Sequence, residues 1–504
     1  MNFKLSWGLL LIFCFVTRLW AQTTDLSGAF VAPTEKPFIY RPMDPAFWSN
    51  IENKLVKSDF AGSVVEGAKQ TRRYGPTTAD GSEGRLATAI GLSRMGISFG
   101  AMQILIELAQ TRAGTAVGES ALNELAKIAL QYNYDRDTLD ALMNSNEFGP
   151  LHPDIQSFVS MFRYLYDLRF GFSRWAENQK KQIKADSPWD FELRYWTAIG
   201  DIARDKVTKA EVTFKELASS PQTPIRLKQM VHLQLARLAF EQGHFEPAHE
   251  LYRQIGDLQV REQGRLILET AWTQYYLKKY DTALGLLYAL RAPYFYSSLT
   301  PERFILEILI YRDLCHYEAV DAAVQQFKIA FNDSFRAIRK RTPLREDPVL
   351  LNLALLNRDV QEKANLIDQI RREREVLARY NWRGLSFYKP LMDEYRRKDR
   401  GLRRELDLIL EPRVRDIAEY LLDNEEQIQF LDYTSKLDAL RIVHEGEDRD
   451  FKTEPISYLT FESIFWPIQN EFWWDEFKNY KVLISSRCHM AKTPLDEKRE
   501  RDFQ

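Results

Sequence analysis

Apolar residues recur at helical spacing, in paired short runs, over most of this chain. The clearest pair lies between Met230 and Ile255. Leu235, Ala236, Ala239 and Phe240 precede Gly243, and Phe245, Ala248, Tyr252 and Ile255 follow it. Each set falls on one side of a 3.6-residue helix, with the glycine between them marking a turn. Small side chains such as Ala236 and Ala248 let two antiparallel helices approach closely, while Phe245 and Tyr252 fill the space beside them. The pattern predicts a helical hairpin.

It predicts several. Ala271, Tyr275, Tyr280, Ala283, Leu287 and Leu290 repeat it, as do Ile308, Tyr311, Cys315, Tyr317, Val320, Val324 and Phe327. Upstream, Trp196, Ile199, Gly200, Ala210, Phe214 and Leu217 form a shortened copy, and Ala89, Leu92, Gly96, Ala101, Leu105 and Leu108 fit without insertions. Weaker copies centre on Leu139 and Ala176. The anchors 101, 139, 176, 210, 248, 283 and 320 step by 34–38 residues. This ladder resembles the tetratricopeptide repeat, whose period is about 34. Lys278 and Cys315 depart from it, standing where a turn glycine is usual. The resemblance implies an all-α solenoid whose curved face holds peptides or partner helices. The residues expected to pack the repeats are Ala101, Gly200, Phe214, Ala236, Gly243, Phe245, Ala248, Tyr252, Ala271, Tyr280, Ala283 and Tyr317.

From about Phe335 the texture changes. A basic stretch (Arg336, Arg339, Lys340, Arg341, Arg345) reads as a solvated helix end. Leu353, Val360 and Ile367 then recur every seven residues, as do Leu356, Ile370 and Leu377 around a polar gap at Lys363, and later Val414, Leu421 and Ile428. These predict long amphipathic, coiled-coil-like helices, separated by Gly384, Pro390 and Pro412, with their seams buried within the chain. Glu445–Glu454 reads as a linker. The tail beyond it is rich in aromatics, including Trp466, Trp473 and Trp474. It reads as a cap on the last repeat or a docking surface, with stacking on sugars as the alternative. A short strand pair is expected around Lys481–Ser485 and disorder from Lys492. The organisation expected is a signal peptide at 1–21, a partly irregular lead at 22–82, repeats at 83–335, long helices at 336–445 and the aromatic tail at 446–504.

The N-terminus adds location. Lys4, an apolar run from Leu5 to Val16 and a small residue at Ala21 read as a secretory signal peptide, cleaved near Ala21. Export to the periplasm, or association with the outer membrane, follows as an expectation. No later stretch is apolar for long enough to span a membrane. The mature chain would keep Cys315 and Cys488, which the simpler reading leaves as isolated small side chains, with pairing as the alternative. Of the 504 residues, 69 are basic and 71 acidic, a balance that gives no reason to expect nucleic acid as partner.

Chemistry is sparse. The seven histidines are scattered without metal-ligand spacing, and no phosphate loop, nucleophile elbow or Cys-x-x-Cys is present. Hence no catalytic residue, cofactor or metal is expected. The repeat ladder together with the Trp466-Pro467 and Phe472-Trp473-Trp474-Asp475-Glu476 tail resembles exported tetratricopeptide proteins of gliding and predatory bacteria. That resemblance implies a non-enzymatic envelope scaffold binding other envelope proteins, in a motility or envelope-spanning complex. The alternative is a peptidoglycan-binding module using the aromatic tail. A cell-wall hydrolase using Glu462, Glu471, Asp475 or Glu476 ranks third.

Overall fold

The computed structural model describes residues 38–131, 134–258, 260–298, 300–445, 472 and 476–488. Among them are nineteen α-helices and no strand, so the protein is all-α. The chain forms two compact units, one of residues up to Val231 with Gln361–Asp407, the other of His232–Val360 with the residues from Leu408 onward.

The first unit opens with α1 (Pro45–Val56), α2 (Phe60–Tyr74), α3 (Ala79–Arg94) and α4 (Ser98–Thr111). Within the lead expected to be partly irregular at 22–82, Pro45–Val56, Phe60–Tyr74 and the residues from Ala79 are helical. Then come α5 (Ala116–Gln131), α6 (Arg136–Ser145), α7 (Pro153–Arg169), α8 (Ser173–Lys180), α9 (Pro188–Ile202) and α10 (Val207–Ser219). Helix α11 (Ile225–Glu241) passes into the second unit, which continues with α12 (Phe245–Arg253), α13 (Val260–Tyr276), α14 (Tyr280–Ala289), α15 (Glu302–Asp313), α16 (Tyr317–Lys340) and α17 (Pro348–Ala354).

One turn geometry builds seven of the hairpins. Ser58, Gly96, Gly171, Asp205, Gly243, Lys278 and Cys315 all have φ between 57° and 81°. At each, the next N–H reaches back to the carbonyl five residues earlier, as from Lys279 to Gln274 (2.9 Å) and His316 to Tyr311 (2.8 Å). This is the Schellman closure, which satisfies the last carbonyls of the first helix. Four of these turns adopt the left-handed region without glycine. The geometry therefore belongs to the hairpin, and glycine is only its easiest occupant. Each anchor read from the sequence (Ala101, Leu139, Ala176, Ala210, Ala248, Ala283 and Val320) is the fourth residue of its helix, and all are buried.

In the first unit, α2 and α3 meet backbone to backbone. A β-carbon at Gly67 would lie 2.5 Å from the Gly84 carbonyl oxygen, and one at Gly84 the same distance from that of Gly67. Two further helices complete the picture, α18 (Arg358–Ala378) and α19 (Tyr388–Glu445). Ile370 and Leu377 of α18 and Leu391, Tyr395 and Leu402 of α19 are buried in the first core. Val414, Ala418, Leu421 and Ile428 of α19 are buried in the second. The heptad seams thus close within the chain, but against hairpins. Within the stretch 336–445, residues 361–407 belong to the first unit and the rest to the second.

Neither proline breaks α19. Pro390 lies in its first turn, where N–H groups have no helical partner. Pro412 is interior and has no N–H to offer the Leu408 carbonyl, and Leu408 is where α19 passes into the second unit. The polar gap at Lys363 is filled by ion pairs to Asp137 (3.1 Å) and Glu405 (2.6 Å). Burial would push Asp137 upward, yet the Lys363 ammonium holds it below the usual carboxylate range.

Candidate interaction surface

In the second unit the hairpins carry a length of their own chain. Burial alternates along residues 481–488: Val482, Ile484, Ser486 and Cys488 are half-buried, while Lys481, Leu483, Ser485 and Arg487 are exposed. A period of two is that of extended backbone with one side against a support. The strand pair expected here is absent; the segment bonds to helix ends instead. Its Val482 N–H donates to the Asp281 carbonyl (3.0 Å) and its Arg487 N–H to the Leu314 carbonyl (2.9 Å). Nε2 of His316 lies 2.7 Å from the Ser485 carbonyl, and the Lys478 ammonium reaches the Ile255 carbonyl at 3.4 Å. The segment therefore runs from the end of α12, over α14, to the α15–α16 turn.

Three features hold it there. The Phe477 ring is 2% exposed and lies 5.2 Å from Phe295, while Phe472 stacks on Tyr288 at 5.4 Å. The chain crosses α14 at Gly285, where any β-carbon would overlap the Tyr480 carbonyl. Cys488 forms a disulfide with Cys315, their Cα atoms 5.1 Å apart, so the isolated cysteines read from the sequence are a pair. Only the fold could reveal this, because the segment's path is set by contacts far along the chain. A lone glycine inside a helical pattern was the one local hint.

The polar interior is organised around carboxylates that sequence reasoning did not find. On α13, Glu269 accepts both bonds of a forked contact from Arg237 (2.9 and 2.8 Å), one from Arg265 (3.0 Å) and one from the Tyr252 hydroxyl (3.2 Å). Burial acts to raise its pKa, but the two guanidinium groups outweigh it and hold Glu269 low. On α18, Glu373 accepts from the backbone N–H groups of Phe99 (2.9 Å) and Gly100 (3.0 Å), from Gln369 (2.9 Å) and from the Tyr395 hydroxyl (2.6 Å). Helix α4 begins at Ile97 with no side-chain cap of its own, so Glu373 caps it from far along the chain. Burial keeps the Glu373 carboxyl above its ordinary range in spite of these donors. Glu373 is buried among its donors, whereas the Glu269 side chain remains 20% exposed.

The residues expected to pack the repeats differ in burial. Ala101, Phe214, Ala236, Ala248, Tyr252, Ala271 and Ala283 are buried. Phe245, Tyr280 and Tyr317 open their helices and are half-buried, Phe245 lying parallel to Tyr276 at 4.5 Å. Gly243 serves through its φ of 78°. Gly200 is a correction. It is half-buried and a β-carbon there would meet only the Arg204 side chain, at 3.9 Å, so it mediates no close approach; the left-handed turn falls at Asp205. Trp466, Trp473 and Trp474 lie outside the described residues, as do the stretch 1–21 read as a signal peptide and the tail from Lys492.

His249 pairs with Gln274 (2.7 Å), and burial with nearby Lys279 lowers its pKa. Among the described residues no group of three His, Cys, Asp or Glu side chains could hold a metal ion, and no helix is long and apolar enough to cross a membrane. Compared with models of known protein families, with characterised proteins and with solved structures, the chain matches none.

Proposed function

We propose that this protein is a non-enzymatic scaffold of a bacterial cell envelope, holding segments of other envelope proteins on its helical hairpins. The observation that carries the reading is the segment 476–488, a turn at 476–479 followed by an extended stretch. It lies along successive hairpins through backbone bonds to helix ends, aromatic anchors and alternate inward side chains. Hairpins that hold one extended polypeptide in this way have the surface chemistry to hold others. The Cys315–Cys488 disulfide supports an oxidising compartment, in agreement with the signal peptide read at 1–21. The repeat resemblance points to a motility or envelope-spanning complex as the setting.

The aromatic tail serves as a cap in this reading. Phe477 is buried against Phe295 and Phe472 stacks on Tyr288, so both rings are engaged within the chain. Crosslinking in living cells, with crosslinked peptides mapped to the chain, tests the proposal. Specific envelope proteins attached at hairpin surfaces are expected. Recovery of the chain from the cytosol with both cysteines reduced would overturn it.

A further inference from the structure

One hairpin tip in the first unit is unlike the others. The α7–α8 turn reads Arg169-Phe170-Gly171-Phe172-Ser173-Arg174-Trp175, and every residue of it is exposed. Phe170 is 54% exposed, Phe172 52% and Trp175 67%, with Tyr166 against Phe170 at 4.6 Å. The three positions that carry these rings are those before, after and four beyond the left-handed residue. In the other hairpins of this geometry they hold Lys57, Asp59 and Gly62, or Arg204, Lys206 and Lys209, or Gln242, His244 and Pro247. Where a large apolar residue occurs there, it is buried, as at Ile97 and Leu314, or half-buried, as at Met95 and Leu277. Four exposed aromatics at one tip need a partner, since single exposed apolar residues are ordinary and clusters are not.

Charge narrows the choice of partner. From Arg169 to Lys181 there are four basic residues (Arg169, Arg174, Lys180 and Lys181) and one acid, Glu177. The Arg169 guanidinium sits over the Phe170 ring at 5.7 Å, leaving its charge beside the apolar surface. A protruding turn offers rings at its apex and cations at its flanks. A protein partner would have to supply a matching hollow. A bilayer supplies one wherever it is touched: tryptophan, tyrosine and phenylalanine settle at the headgroup level, and arginine extends toward lipid phosphates.

We infer that the α7–α8 tip is a peripheral membrane contact that places Phe170, Phe172 and Trp175 in the interface of an anionic lipid surface, with Arg169 and Arg174 on its headgroups. This site is separate from the hairpin surface proposed to hold proteins and does not depend on it.

Flotation of residues 22–504 with lipid vesicles tests the inference; the chain starts after Ala21 because the apolar N-terminal run would itself bind lipid. Two vesicle types are used, phosphatidylcholine alone and phosphatidylcholine with about one-third phosphatidylglycerol. The protein is expected to float with the anionic vesicles. A Phe170→Ser/Phe172→Ser/Trp175→Ser variant should keep its helical circular dichroism and melting temperature, because those side chains are exposed, and bind roughly tenfold or more weakly. An Arg169→Gln/Arg174→Gln variant should lose the preference for anionic lipid. Absence of flotation with anionic vesicles, equal flotation of the triple-serine variant, or a tip that crosslinks to a protein while leaving vesicles unbound would each overturn the inference. Partner capture on the hairpins, unchanged in the triple-serine variant, would leave the scaffold reading standing on its own.

Discussion

The Tyr480 carbonyl occupies the space that a side chain at Gly285 would need. A helix surface and a distant stretch of chain meet there at backbone distance, which is why α14 carries a glycine in its middle. Gly285→Ala should push the 476–488 segment away, at a cost of about 1–3 kcal/mol by overpacking. Hydrogen exchange at the Val482 and Arg487 amides should quicken, with the Asp281 and Leu314 carbonyls losing their donors. Unchanged protection of both amides would show that the chain does not cross α14 at this point.

Glu373 and the amides of Phe99 and Gly100 form a capping contact that joins α18 to the start of α4. Glu373→Ala leaves those N–H groups and the Tyr395 hydroxyl buried without an acceptor, and should destabilise the protein by about 3–5 kcal/mol. Glu373→Gln keeps one oxygen and should cost less. Denaturant unfolding followed by far-ultraviolet circular dichroism reads both. Equal stability of the alanine variant and the parent would remove the capping role.

Glu269 gives the protein a pH dependence of defined sign. Its folded pKa lies below the ordinary value because Arg237 and Arg265 outweigh the effect of burial. The stabilisation is present above the unfolded carboxylate value of about 4.3 and is lost as pH falls through the folded one. Glu269→Gln should therefore cost about 2–3 kcal/mol at neutral pH and progressively less in acid. Glu373 runs the other way: its raised folded value makes its contribution greatest in acid, fading as pH climbs through that value. Unfolding curves for both glutamine variants across pH 3–8 check the two slopes, and a parallel trend for the pair would contradict the assignment.

Asp205 sits in the left-handed region, φ 61°, at an exposed turn. Asp205→Gly should raise stability by about 0.5–1 kcal/mol, since only glycine adopts that conformation without strain. The opposite change at Gly243, to alanine, should lower stability by a comparable amount. Thermal melts of the two variants, shifting in opposite directions, are the expected result.

Sequence alone determined the helical hairpins. An anchor such as Ala248 or Ala283 is legible because close approach of two neighbouring helices demands a small residue at a fixed step from a turn, and that demand is local. The same logic found the hairpins that turn at Lys278 and Cys315, where glycine is missing but the turn persists. It failed at Gly200, a glycine with no close neighbour, and at Pro412, which α19 accommodates in its interior. Tertiary structure decided what is joined to what. Glu373 capping α4, α19 divided between two cores, and the segment 476–488 locked to Cys315 all bring together residues more than a hundred positions apart. Periodicity records which side of a helix is buried. It carries no address for the surface that buries it, and that address emerges only when the whole chain has packed.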